Sequence, residues 1–147
     1  MKKLTIVAFV LTTLFFVGCA KKNMESLIFE KEISHDETII EPRKAKWKEV
    51  DGENYITIEF DFTNLKDEEQ SFLQSPIKLV VEQNGQILRM ELDEGMPAFK
   101  GVLKNKKEKI SAMYQLDNMV DDVEVTFSYD VGESGILSQF TIPIEGK

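Results

Sequence analysis

The sequence predicts an all-β protein, an antiparallel β-sandwich of about seven to nine strands behind a cleaved signal peptide. Three observations carry this. Apolar residues alternate with polar ones in five segments, which is the side-chain period of a half-buried strand. Two candidate hairpins, folded in register, sort apolar against apolar and charge against opposite charge. No segment carries the 3.6-residue apolar repeat of an amphipathic helix, so the crossover helices of a parallel sheet are missing.

A chain of 147 residues is one domain's worth, and 30% charged with 42% apolar residues, 8 Gly and 4 Pro, describes a folded protein, neither disordered nor fibrous. Without Lys2 and Lys3, which the leader carries, 16 basic residues stand against 26 acidic, a net charge of −10. No nucleic-acid partner is expected of so acidic a chain.

The chain opens Met1-Lys2-Lys3, followed by fifteen uncharged residues, Leu4 to Gly18. That run is short for about 30 Å of hydrocarbon and suits the apolar region of an export signal. It ends Phe16-Val17-Gly18-Cys19, and the small residue before Cys resembles the lipobox of bacterial lipoproteins, with Phe16 where Leu is usual. The resemblance implies that residues 1–18 are a lipoprotein signal peptide, removed on export, and that Cys19 is lipidated on its thiol. Cys19 is the single Cys, so the domain behind it has neither disulfides nor thiol chemistry. An exported domain without disulfides, rich in Lys, Glu and Ile, points to a Gram-positive source.

Residues 19–26 then form the lipidated Cys and a short polar tether, and residues 27–147 the domain. Seven tether residues, Ala20 to Ser26, cannot extend beyond about 25 Å, so the domain is expected close to the outer face of the membrane. The expected partners are the membrane, through the lipid anchor, and a membrane protein or a molecule that penetrates the wall.

Within the domain, Leu27 to Ile33 and Thr38 to Glu41 are weak strand candidates. Ile56, Ile58, Phe60 and Phe62 alternate with Tyr55, Thr57, Glu59 and Asp61. A turn at Asp51-Gly52-Glu53-Asn54 sets Trp47 against Ile58, Ala45 against Phe60, Lys46 against Glu59 and Lys44 against Asp61, with Trp47 facing the core. Asn84-Gly85 is the strongest short hairpin signal, because both residues tolerate the positive φ of a type I′ turn. It sets Leu79 against Met90, Ile77 against Leu92 and Lys78 against Glu91. Further strands follow at Ile110, Ala112, Tyr114; at Val123, Val125, Phe127, Tyr129; and at Phe140, Ile142, Ile144.

The run Tyr-Ile-Thr-Ile-Glu-Phe-Asp-Phe-Thr-Asn (55–64), the Glu-Gln-Asn-Gly-Gln segment (82–86), Tyr114-Gln115-Leu116 and Asp122-Val123-Glu124-Val125 resemble an Ig-like domain family of unknown function found in Gram-positive bacterial lipoproteins. The resemblance covers roughly residues 44–144 and implies an Ig-like sandwich. It transfers no catalytic residue. Where that family often carries a Pro-Gly turn, this chain has Lys104-Asn105-Lys106-Lys107-Glu108.

The chemistry left open is narrow. His35 is the single histidine, which removes a His-based triad and a multi-His zinc site, and His35-Asp36-Glu37 reads as an exposed loop. Carboxylates are the one catalytic class that composition permits, and Glu59 and Asp61 share a strand face, but the lysines opposite explain both as ion pairs. Asp117, Asn118, Asp121 and Asp122 lack the spacing and central Gly of an EF-hand and read as a polar turn. Met90, Met96, Met113 and Met119 are too far apart in sequence for a soft-metal repeat. No catalytic residue, cofactor or metal is therefore expected. Met96-Pro97-Ala98-Phe99 is an apolar stretch in a turn-rich segment, and Met96 and Phe99 are the candidate recognition loop, since loops at the ends of such sandwiches carry binding. The expected function is a membrane-anchored, extracytoplasmic, non-enzymatic binding or accessory module. The alternatives are an immunity or exclusion lipoprotein against phage, bacteriocin or toxin, and a carboxylate-dependent wall hydrolase.

Overall fold

A computed structural model describes residues 24–28, 30–92, 96–129 and 133–144. The expected signal peptide, residues 1–18, together with Cys19 and residues 20–23, lies outside the described residues. The fold is all-β, two antiparallel sheets packed face to face. The larger sheet contains β1 (Met24–Leu27), β2 (Ile33–His35), β3 (Thr38–Val50), β4 (Glu53–Asn64), β7 (Met90–Glu91) and β8 (Lys106–Leu116), in the order β1-β3-β4-β8-β7 with β2 also on β3. The smaller contains β5 (Lys78–Gln83), β6 (Gln86–Ile87), β9 (Val123–Ser128) and β10 (Ile136–Ile142), in the order β10-β9-β5-β6. Among the described residues there are ten strands rather than seven to nine, because β2, β6 and β7 are pairings of only two or three residues that leave little trace of alternation. The first strand also starts at Met24, inside the stretch expected to be tether, where Met24 pairs with Trp47 and Glu25 with Lys46.

The β3–β4 turn is tighter than expected. Asp51 (φ 52) and Gly52 (φ 86) alone make it, in the left-handed region that a two-residue type I′ turn requires. Val50 therefore pairs with Glu53, Trp47 with Ile56, Ala45 with Ile58, Lys46 with Thr57 and Lys44 with Glu59. Each partner is displaced by two residues from the expected register, and a shift of two preserves the face. Trp47 thus faces inward as expected, 5% exposed. A bulge between Pro42 and Lys44 then resets the ladder, pairing Glu41 rather than Lys44 with Asp61.

The second hairpin keeps its expected register only near the turn. Asn84 (φ 53) and Gly85 (φ 71) turn the chain, Gln83 pairs with Gln86 and Glu82 with Ile87. Leu88 then turns into the core, and the chain crosses to the other sheet, where Met90 pairs with Tyr114 and Glu91 with Met113. Leu79 and Lys78 pair with Phe127 and Ser128 of β9 instead of with Met90 and Glu91, and Leu92 is exposed. The switch completes a row across the inner face of the larger sheet: Met24, Trp47, Ile56, Tyr114, Met90.

The two inner faces meet through aromatics. Phe60 of β4 lies edge-on to Phe127 of β9 at 5.6 Å and to Phe72 at 4.7 Å. Asn105 (φ 59) occupies the turn before β8, doing with an Asn side chain what a Pro-Gly turn does elsewhere, and its N–H donates to Asn64 O. At the other end of the sandwich buried Gln83 uses its whole amide. Its Nε2 donates to Asn118 O and Asp121 O, and its Oε1 accepts from Asp117 N and Asn118 N, which anchors the 117–121 loop.

Two buried polar atoms of the inner row, Trp47 Nε1 and Tyr114 OH, have no partner among the described residues, so these side chains contribute through their apolar bodies. Trp47→Ala is expected to cost about 3–5 kcal/mol in urea unfolding, and Tyr114→Phe to change stability by less than about 0.5 kcal/mol or to raise it. A large loss in Tyr114→Phe would show that the hydroxyl is satisfied after all.

Candidate functional site

The outer face of the larger sheet carries the charged residues that the inner face cannot. Along β3 the outward positions Lys44, Lys46 and Lys48 follow one another at intervals of two, and on β8 Lys107 and Lys109 do the same. Between these rows lies β4, with Glu59 and Asp61 outward. Lys109 pairs across the ladder with Asp61 and Lys44 with Glu59.

Three ammonium groups converge on the Glu59 carboxylate. Lys46 Nζ lies 2.7 Å from Oε1, Lys109 Nζ 3.2 Å from Oε2 and Lys44 Nζ 3.9 Å from Oε2. Although it points outward, the Glu59 side chain is only 7% exposed, while Lys46 and Lys109 are 45% and 61% exposed. Burial raises the Glu59 carboxyl pKa, but the hydrogen bonds and positive charges of Lys46 and Lys109 outweigh it and hold the group below its ordinary value. Asp61 is taken by Arg43, whose Nε and Nη2 donate to Oδ2 at 2.9 and 2.6 Å, and not by Lys44 as the sequence suggested. Arg43 and Lys107 also reach Glu41, and Lys44 also reaches Glu25 on β1. Beside this network a groove of about 520 Å³ is lined by Met24, Glu25, Lys46, Lys48, Thr57 and Glu59, together with Trp47.

The candidate recognition loop lies elsewhere. Pro97–Phe99 is a 3-10 turn packed on β8 and on the Phe72–Gln74 turn; Ala98 is buried, Met96 half-buried, and Phe99 stands 47% exposed. Neither Met96 nor Phe99 lines the groove. Glu94 and Gly95 of the same segment are outside the described residues.

The other candidates resolve into structure. His35 is in β2 rather than a loop, its ring stacked on Tyr129 at 4.4 Å. Asn118 Oδ1 accepts from Val120 N and Asp121 N, while Asp121 Oδ2 accepts from the Asn84 and Asn118 amides, an ordinary polar turn. Among the described residues no group of three or more His, Cys, Asp or Glu is placed to hold a metal. Lys109 and Arg43 went unnoticed in the sequence because one reaches Glu59 across the long-range β4–β8 ladder and the other is aimed by a bulge. The outward alternation of Lys107 and Lys109 was the available signal.

A group held below its ordinary pKa stabilises the fold fully above its unfolded value, near 4.3 for Glu, and loses that contribution as pH falls through the folded value. Glu59→Gln is therefore expected to lower stability at pH 7 by about 1–3 kcal/mol, less than for a fully buried pair because the lysines can turn to water. It should also lose the part of the acid destabilisation below about pH 4.3 that Glu59 contributes. Thermal melts from pH 7 to 3 on both proteins check this, and an unchanged acid limb in Glu59→Gln would contradict it.

A family model described as a domain of unknown function (DUF5067) matches residues 21–129, which takes in β1 through β9. No curated protein and no solved structure gives a significant match.

Proposed function

The chain belongs to the DUF5067 family of domains of unknown function, and from that footing we propose that it is a lipid-anchored, extracytoplasmic, non-enzymatic binding module with an Ig-like sandwich as its scaffold. The observation that carries this reading is the position of Cys19, in a lipobox-like context only five residues before β1. Five residues extend no further than about 18 Å, so a lipid on Cys19 keeps the domain against the outer face of the membrane. Met24 opens β1 and lines the lysine groove, so a chain arriving from Cys19 enters the sheet beside that groove.

The carboxylates favour binding over hydrolysis. A glycan hydrolase needs two acids facing one cleft, one of them able to hold a proton. Glu59 is ringed by ammonium groups that favour its ionised form, and Asp61 is engaged by the Arg43 guanidinium. The partner is then a membrane protein or a molecule that passes through the wall to reach a domain this close to the bilayer.

Cys19→Ser is expected to release the protein from membranes or to leave it unprocessed, because its anchor is one thioether-linked lipid. Fractionation of cells with and without detergent reads the outcome. A processed Cys19→Ser protein that still needs detergent would overturn the anchoring.

A further inference from the structure

We infer that the lysine strip on the outer face of the larger sheet binds a linear phosphodiester polymer, with the Glu59 carboxylate acting as a positioning residue that gathers three of the ammonium groups. This rests on the anchored binding module proposed above and names the partner of its groove. The first argument is charge. Six cations, Lys44, Lys46, Lys48, Lys107, Lys109 and Arg43, face four carboxylates, Glu25, Glu41, Glu59 and Asp61, a local surplus of two positive charges on a chain whose net charge is −8. Lys48 has no ion-pair partner among the described residues.

The second argument is preorganisation. An ammonium group has three donors; Lys46 and Lys109 each spend only part of that capacity on Glu59, while Lys44 shares its own between Glu59 and Glu25. Lys46 and Lys109 remain about half exposed, with N–H bonds free for a ligand at the surface. The carboxylate lowers the mutual repulsion of the lysines, which in its absence would splay apart.

The third argument is shape. Lys48, Lys46 and Lys44 run along β3 from the anchored end outward, successive side chains about 6.6–6.8 Å apart, and Lys109 and Lys107 continue the strip on β8. A strip directed away from the anchor suits a flexible chain leaving the membrane, whereas a planar bilayer would meet only its end. Phosphodiesters are ionised throughout the neutral range in which the lysines are charged, and lysine binds phosphate as a point charge.

The test uses the full-length protein in neutral detergent and fluorescently labelled poly(glycerol phosphate), with binding read by anisotropy. Binding is expected at low salt. Lys46→Gln or Lys109→Gln should weaken it about 3- to 10-fold and make its salt dependence shallower by about one unit of slope. Lys104→Gln, whose lysine pairs with Asp67 at the other end of the sandwich, should leave it unchanged. Thermal melts of each variant verify that it is folded. No binding, or equal loss in Lys104→Gln, overturns the proposal. Equal affinity for poly-L-glutamate overturns the phosphodiester assignment, and binding only to phosphatidylglycerol vesicles, weakened by the same variants, moves the partner to lipid headgroups. Each of these failures leaves the anchored module standing, since Cys19→Ser tests that separately.

Discussion

Strand β4 is hydrogen-bonded on both edges along nearly its whole length, to β3 on one side and β8 on the other, and the rest of the structure follows from that double pairing. A strand with two neighbours cannot rotate or slip without breaking both ladders, so its alternation is imposed on them. Ile56, Ile58, Phe60 and Phe62 must all face one way, and all four are fully buried. Phe60 grips the second sheet through Phe127 of β9 and packs edge-on against Phe72 of the Phe72–Gln74 turn. At roughly 1.5–3 kcal/mol for each fully buried large apolar side chain, this one strand face contributes a substantial share of the hydrophobic stabilisation.

The same pairing dictates the chemistry of the opposite face. Glu59 and Asp61 are obliged to point outward, and their neighbours on both sides are strands rich in lysine. A carboxylate beneath three ammonium stems loses hydration, which disfavours its charge, yet lies within 4 Å of three cations, which favours it more. The balance leaves a fixed anion under a mobile layer of lysines. Such a face has little use for a proton to transfer and much use for an anion to bind, and this is why the binding reading is preferred over a hydrolytic one.

The ends of the sandwich are held by polar side chains in place of the missing disulfides. Gln83 closes the loop after β8 with four hydrogen bonds to backbone, and at the opposite end Asn64 Nδ2 donates to Glu68 O and Val102 O while its Oδ1 accepts from Lys66 N. Each satisfies loop backbone groups that would otherwise be desolvated without a partner. Loops fixed in this way leave the turns short and the sheet faces open.

What the sequence determined by itself is everything that depends on local periodicity: the strands from Ile56, Ile110 and Val123, the inward Trp47, the Asn84-Gly85 turn and the outward carboxylates. It also carries the lipobox-like run that ends at Cys19, a property of linear order. The tertiary structure alone decided which strand lies beside which. Alternation with a period of two is unchanged by a two-residue shift, so it could not tell Ile56 from Ile58 as the partner of Trp47; the positive φ of Asp51 and Gly52 did. Nor could it show that the chain leaves the second hairpin after Leu88 for the other sheet, or that Lys109, fifty residues along the chain, would complete the ring around Glu59. Those outcomes depend on burying two sheet faces at once, a condition that exists only when the whole chain is folded.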